Sequence, residues 1–166
     1  MIRSKRLILR SFLLSTLLLV FVGCRSTTIE NPHVPTIYLE AAGSVPGSEH
    51  PYVTLPISET KIRVFSNPVF DPMDIIRIEA VQVDRGMAVR YLLTPSASRQ
   101  MIRSSVDNIG YRFIFFDNET AIGARMIDGV IDDGILYTFL EVPEEQLPEL
   151  IEDMNRTLVE FRRNSW

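Results

Sequence analysis

No other stretch limits the possible folds as tightly as Tyr111 to Phe116, which reads Tyr-Arg-Phe-Ile-Phe-Phe. In a strand, successive side chains point to opposite faces. Tyr111, Phe113 and Phe115 therefore share one face, and Ile114 and Phe116 the other. A strand apolar on both faces must be covered on both, which makes it central rather than an edge. Asp117-Asn118 follows, and asparagine tolerates the left-handed backbone of a tight turn, so the chain reverses into a segment at Thr120 to Ala124.

The flanking segments supply the rest of a sheet and two helices. Ile75 to Asp84 is rich in β-formers, Arg85-Gly86 turns the chain, and Met87 to Leu93 returns it as a hairpin. Met87, Val89, Tyr91 and Leu93 share the face of that second run that a core would cover. Thr94-Pro95 opens a helix, because the threonine hydroxyl accepts from a free N–H and proline suits the first helical position. Ala97, Met101, Ser105 and Ile109 recur at four-residue intervals, with Ile102 and Val106 expected on the same side, and Gly110 stops the helix after Asn108. Asp132-Asp133-Gly134 makes a turn into a strand at Ile135 to Leu140. Leu147, Leu150, Ile151, Met154, Leu158 and Phe161 form one buried stripe of a last helix. Pro148 would break a helix begun at Pro143 at a cost of about 3 kcal/mol, so the regular helix is expected from Leu147. Shorter strands are expected at Thr36 to Ala42, Tyr52 to Ile57 and Lys61 to Phe65, the last with Ile62 and Val64 on one face. The fold class is α+β: a mainly antiparallel sheet with helices near Pro95–Asn108 and Leu147–Phe161 packed on it.

The first 23 residues carry a different message. Arg3, Lys5, Arg6 and Arg10 precede an apolar run from Ser11 to Val22, and small Gly23 then precedes Cys24. That is the layout of a secretory signal, and the run is shorter than the roughly 20 residues a spanning helix needs. Phe21-Val22-Gly23-Cys24 resembles the bacterial lipobox, with Phe21 where leucine is usual. The resemblance implies cleavage between Gly23 and Cys24 and a diacylglyceryl group on Cys24; an uncleaved anchor helix is the alternative. The expected organisation is a signal peptide at 1–23, a lipidated cysteine and flexible tether at 24–35, and one domain at 36–166. Extended, the eleven residues from Arg25 to Pro35 reach about 36 Å. His33, set between prolines, is expected to be solvated. Cys24 is the only cysteine, so the domain has no internal disulfide, and several acyl chains on it make a stable membrane anchor. Arg25 stands where aspartate would signal inner-membrane retention, which favours the outer membrane where there is one. Loss of the signal changes the formal charge from −4 to −8, with 13 basic against 21 acidic side chains. Such a balance argues against nucleic acid as a partner.

From Val81 to Leu158, about half the chain, the order of landmarks is similar to the head of the first periplasmic domain of SecD. The matching residues are Leu93-Thr94-Pro95 opening a helix, Asn108-Ile109-Gly110 closing it, the strand ending at Asp117, the Ile131-Asp132-Asp133-Gly134 turn, and Glu144-Glu145 leading the last helix. Asn118 replaces the glycine that family carries after the aspartate, and Val130 replaces a proline. In that family the domain handles emerging preproteins while membrane helices use the proton gradient. The residues after Cys24 hold no such apolar run, so the resemblance implies contact with another protein and no motor.

Catalytic patterns are missing from the sequence. An acylated Cys24 is no nucleophile, His33 and His50 lie in proline-flanked loops, and no Gly-x-Ser-x-Gly, P-loop or dinucleotide fingerprint occurs. Asp128, Asp132 and Asp133 have the chemistry to hold a hard cation, but Gly129 and Gly134 beside them make turns the simpler account, so no catalytic residue, metal site or cofactor is expected. Asn155-Arg156-Thr157 fits a glycosylation pattern that carries no weight in a bacterial lipoprotein, and the end at Arg162, Arg163 and Trp166 is expected to fray. The expected function is a non-enzymatic protein-interaction or export-accessory module facing the periplasm or the exterior. The alternative is a small-ligand-binding lipoprotein with a pocket between Thr36–Phe65 and the sheet.

Overall fold

Phe113 and Phe115 on one side, and Ile114 and Phe116 on the other, are all buried. The structure, a computed structural model, describes residues 32–41, 43 and 50–165. The expected signal peptide, Gly23, Cys24 and most of the tether lie outside the described residues. The strands are β1 (Pro35–Leu39), β2 (Tyr52–Thr54), β3 (Lys61–Arg63), β4 (Ile75–Val83), β5 (Gly86–Leu93), β6 (Arg112–Asp117), β7 (Thr120–Met126) and β8 (Ile135–Thr138). The helices are α1 (Pro95–Asp107) and α2 (Leu147–Asn164).

Three antiparallel groups result: β1-β6-β7 with β6 central, β4-β5-β8 with β5 central, and the hairpin β2-β3. The first two meet where Gly123 of β7 pairs with Leu140, just beyond β8. Glu40 pairs with Val64, which ties the hairpin to the end of β1. Asn118 takes the turn between β6 and β7 at φ 53°, as an asparagine there permits.

Both helices pack on one face of the joined sheets. Met101 of α1 and Leu147, Ile151, Met154 and Leu158 of α2 share a core with Phe113, Phe115, Tyr91, Val89 and Ile78. On the opposite face, Leu55, Ile62 and Val64 cover Ile114, Phe116 and Ala121. The small hairpin is thus why β6 can be apolar on both sides. It does not extend over β4-β5-β8, whose outer face carries the exposed side chains of Val83, Leu92 and Tyr137.

Local signals decide the helix ends. Thr94 caps α1 by accepting from Ala97 N at 3.2 Å, and Gly110 leaves the helix at φ 91°. The residues before Leu147 form a short 3-10 turn, Glu144–Gln146, and Pro148 falls in the first turn of α2, where its missing N–H costs nothing. The expected apolar side of α1 is narrower than its spacing implied. Ala97, Met101 and Ser105 are buried, but Ile102, Val106 and Ile109 are exposed. Ser105 is buried because its hydroxyl accepts from Ile131 N at 3.0 Å, holding the loop before β8 under the helix. On α2, Thr157 is buried and Phe161 exposed, the reverse of their hydrophobicity. The chain end is not frayed at Arg162, whose guanidinium donates to Ile75 O at 2.8 Å.

Candidate functional site

The outer face of β4-β5-β8 is built from every second residue of each strand. Register places Glu79 opposite Arg90, Arg90 opposite Tyr137, Val81 opposite Ala88 and Leu92 opposite Ile135. Across the middle runs a polar band: Arg90 Nε donates to Glu79 Oε2 at 3.0 Å, and Arg77 Nε lies 3.1 Å from Glu79 Oε1. The Arg90 hydrogen bond holds the Glu79 carboxyl below the usual carboxylate range. Beside that band the face turns apolar. Val83, Tyr137, Phe139 and Met126 are each 37% exposed or more, with Ala88 and Ala124 between them, and they wall a cleft of about 520 Å³. Arg85, Arg125 and Asp128 stand at its margin, and Arg125 Nη1 donates to Tyr137 O at 3.0 Å. Single exposed apolar residues are ordinary; here several line one cleft with charged side chains beside them.

A second cleft, of about 320 Å³, lies where residues 32–34 reach the β6–β7 turn. His33 is 37% exposed, in keeping with its proline-flanked position, but it is not a free tether residue: its Nδ1 lies 2.6 Å from Asp117 Oδ2. Asn118 N donates to Val34 O at 2.9 Å and completes the attachment. Glu149, Asp153 and Gln146 of the α2 end and apolar Ile122, Val142 and Leu150 line the remainder. This imidazole–carboxylate pair resembles part of a hydrolytic relay, yet among the described residues the cleft lining holds no hydroxyl, thiol or amine for it to activate. Its evident work is to fasten the entering chain.

The other residues singled out in the sequence disperse. His50 packs edge-on against Phe65, ring centroids 4.9 Å apart. Asp133 Oδ1 accepts from Ile135 N at 2.9 Å, a turn role. Among the described residues no three His, Cys, Asp or Glu side chains converge as a metal group would require, and no helix is long and apolar enough to cross a membrane. Among the described residues of the 36–65 segment, where a ligand pocket is the alternative expectation, Leu55, Ile62 and Val64 pack on Ile114, Phe116 and Ala121.

No family profile and no curated protein matches this chain. Solved structures do match, two structures of SecDF among them. One, the crystal structure of SecDF in its Super-membrane-facing form, superposes at a TM-score of 0.58 with 14% identity, over 75% of this chain and 19% of that one. The other, titled as the structure and function of a membrane component SecDF that enhances protein export, gives 0.57 with 14% identity, over 75% and 63%. The fold is SecDF-like. The likeness reaches further along the chain than the half carrying the sequence landmarks, and this chain spans less than two thirds of either SecDF chain. The α+β architecture of antiparallel sheets under two helices is therefore the expected one.

Proposed function

We propose that the chain is a non-enzymatic protein-interaction module of the cell envelope, tethered through a lipid on Cys24 and accessory to protein export. The observation that carries this reading is the open, partly apolar face of β4-β5-β8, with its cleft walled by Val83, Tyr137, Phe139 and Met126. The SecDF-like fold supports a link to export, since one matching structure is described as a membrane component that enhances it. The signal-like start and Phe21-Val22-Gly23-Cys24 support the anchor, with the domain facing the periplasm or exterior and Arg25 favouring the outer membrane.

The test is crosslinking in intact cells from a photoreactive residue at position 139, followed by mass spectrometry, with Cys24→Ala as control. Recovery of export components or nascent envelope proteins, lost in the control, supports the reading. Recovery of nothing beyond abundant neighbours overturns it. A second reading, binding of a small apolar ligand, rests on the cleft volume, which falls in the range of ligand pockets of about 300–1,000 Å³. Ligand carried through purification and lost on Phe139→Ser would favour it.

A further inference from the structure

The outer face of β4-β5-β8 differs in charge from the chain as a whole. In its polar band, Arg77 and Arg90 share the carboxylate of Glu79. At the margin of the apolar cleft, Arg85 and Arg125 stand against Asp128. Basic side chains outnumber acidic ones on this face, and still do when Asp84 of the β4–β5 turn is added. Over the whole chain the order is reversed, with 17 basic against 21 acidic side chains. Among the described residues, neither Arg85 nor Arg125 forms an ion pair. Arg85 is exposed in the turn. Arg125 spends one donor on Tyr137 O at 3.0 Å and keeps the others of its planar fork.

The walls of the cleft decide what kind of occupant suits it. Val83, Tyr137, Phe139 and Met126 keep 37% to 53% of their surface exposed, so the cleft is a shallow groove on a sheet. A site for a small molecule covers about 70–90% of its ligand, which a groove this shallow does not do. A membrane or a nucleic acid would face the acidic chain as a whole. A short segment lying in the groove senses mainly charges within about 8 Å at physiological salt. Those are the arginines of the rim.

We propose that this groove receives an apolar polypeptide segment flanked by acidic side chains, whose carboxylates pair with Arg85 and Arg125. The inference rests on the partner-binding reading above and specifies the partner's chemistry. The apolar part of the segment covers Val83, Met126, Tyr137 and Phe139. Its flanking carboxylates meet guanidinium groups, which present two parallel N–H donors to a carboxylate. Asp128 is the one carboxylate among the described residues of the lining, and it leaves the rim positive. Rim charges of this kind select the partner and speed its encounter more than they add affinity. A segment flanked by lysines meets the same arginines as like charges and is turned away.

The experiment uses the full chain in detergent and a short synthetic peptide whose apolar run is flanked by glutamates. Control peptides carry glutamine or lysine at the flanking positions, and dodecanoate stands for an anionic amphiphile. Kd and its salt dependence are read together. The glutamate peptide is expected to bind about fivefold more tightly than the glutamine peptide, and about tenfold or more above the lysine peptide. Arg85→Glu alters an exposed turn residue and should cut the preference for glutamate over lysine to about twofold or less. Adding Arg125→Glu should invert it. Equal binding of the three peptides, binding of none, or parental preference in Arg85→Glu overturns the proposal. Displacement of the glutamate peptide by a lower concentration of dodecanoate overturns it in favour of an amphiphile. Self-association of the chain that Arg85→Glu abolishes overturns it in favour of a second copy. If the charge preference is absent while crosslinking from position 139 still captures export components, the charge assignment fails and the partner-binding reading stands. If the preference holds and nothing is captured in cells, the assignment is supported and the export-accessory reading is overturned.

Discussion

Asn155 binds both backbone groups of Ile78, accepting at 2.9 Å and donating at 2.7 Å, so that one helix side chain stands in for a neighbouring strand. Its Nδ2 also donates to Ile151 O at 2.9 Å, which sets the amide against the helix and aims it at β4. Asn155→Ala strips Ile78 of both partners in a half-buried setting. Stability should fall by about 1–3 kcal/mol, measured by urea unfolding, and exchange at the Ile78 amide should accelerate.

Gly123 is the closest backbone approach between β7 and the end of β8. A Cβ there would lie 2.9 Å from Leu140 Cδ2 and 3.0 Å from Phe139 O, closer than packed atoms come. Gly123→Ala must therefore push apart the Gly123–Leu140 pairing that joins the two larger sheets. A loss of about 1–3 kcal/mol is expected in denaturant unfolding, with Glu141 N released from Ile122 O.

Tyr91 is buried to 1% exposure, its ring 4.9 Å from that of Phe115, and its hydroxyl has no partner among the described residues. Burial, and then the nearby Asp117 carboxylate, push the phenol upward from its usual range, so it stays neutral. Tyr91→Phe removes an unsatisfied polar atom and keeps the ring. The variant should equal or exceed the parent in stability, by up to about 1 kcal/mol, which thermal unfolding will register.

Glu141 clasps the turn before β3, accepting from Ile57 N and Ser58 N, each at 2.8 Å. Burial pushes its carboxyl up, but the hydrogen bonds from Ser58 and Ile57 outweigh that and leave it below its ordinary value. A carboxyl lowered in the folded state contributes stability above its unfolded value and loses it as pH falls through the lowered one. Glu141 is only half-buried, so the loss should be local. Below about pH 4 the amides of Ile57 and Ser58 should exchange faster, and Glu141→Gln should remove that pH dependence.

Phe139→Ser tests the outer face without disturbing the core, since Phe139 is 47% exposed. Unfolding stability should change by about 0.5 kcal/mol or less, while crosslinking yield from a photoreactive residue at position 137 drops sharply.

Much of this architecture was legible from local pattern. Two apolar faces on Phe113 to Phe116 required a central strand, Arg85-Gly86 required a hairpin, and Thr94-Pro95 and Pro148 set the starts of α1 and α2. What escaped were residues whose role depends on a distant neighbour. Asn155 looked like a surface sequon, Arg162 like a fraying end, and His33 like a solvated tether residue. Each turned out to hold a group 77, 87 or 84 residues away. Buried Thr157 and exposed Ile102, Val106 and Ile109 were missed for a related reason: helical spacing reveals a candidate face, not how wide a strip the sheet covers.

By itself, then, the sequence determined the elements, their ends, the central strand and the signal-like leader, because all of these follow from interactions within a few residues. The open face and half-open edge of β4-β5-β8 were decided only in three dimensions. They exist because the β2-β3 hairpin covers one sheet but stops short of the other, and because α2 satisfies Ile78 while, among the described residues, no backbone group pairs with the outward edge at Ala80 and Gln82. Burial and backbone pairing depend on what each element meets across the fold, and no local pattern carries that information.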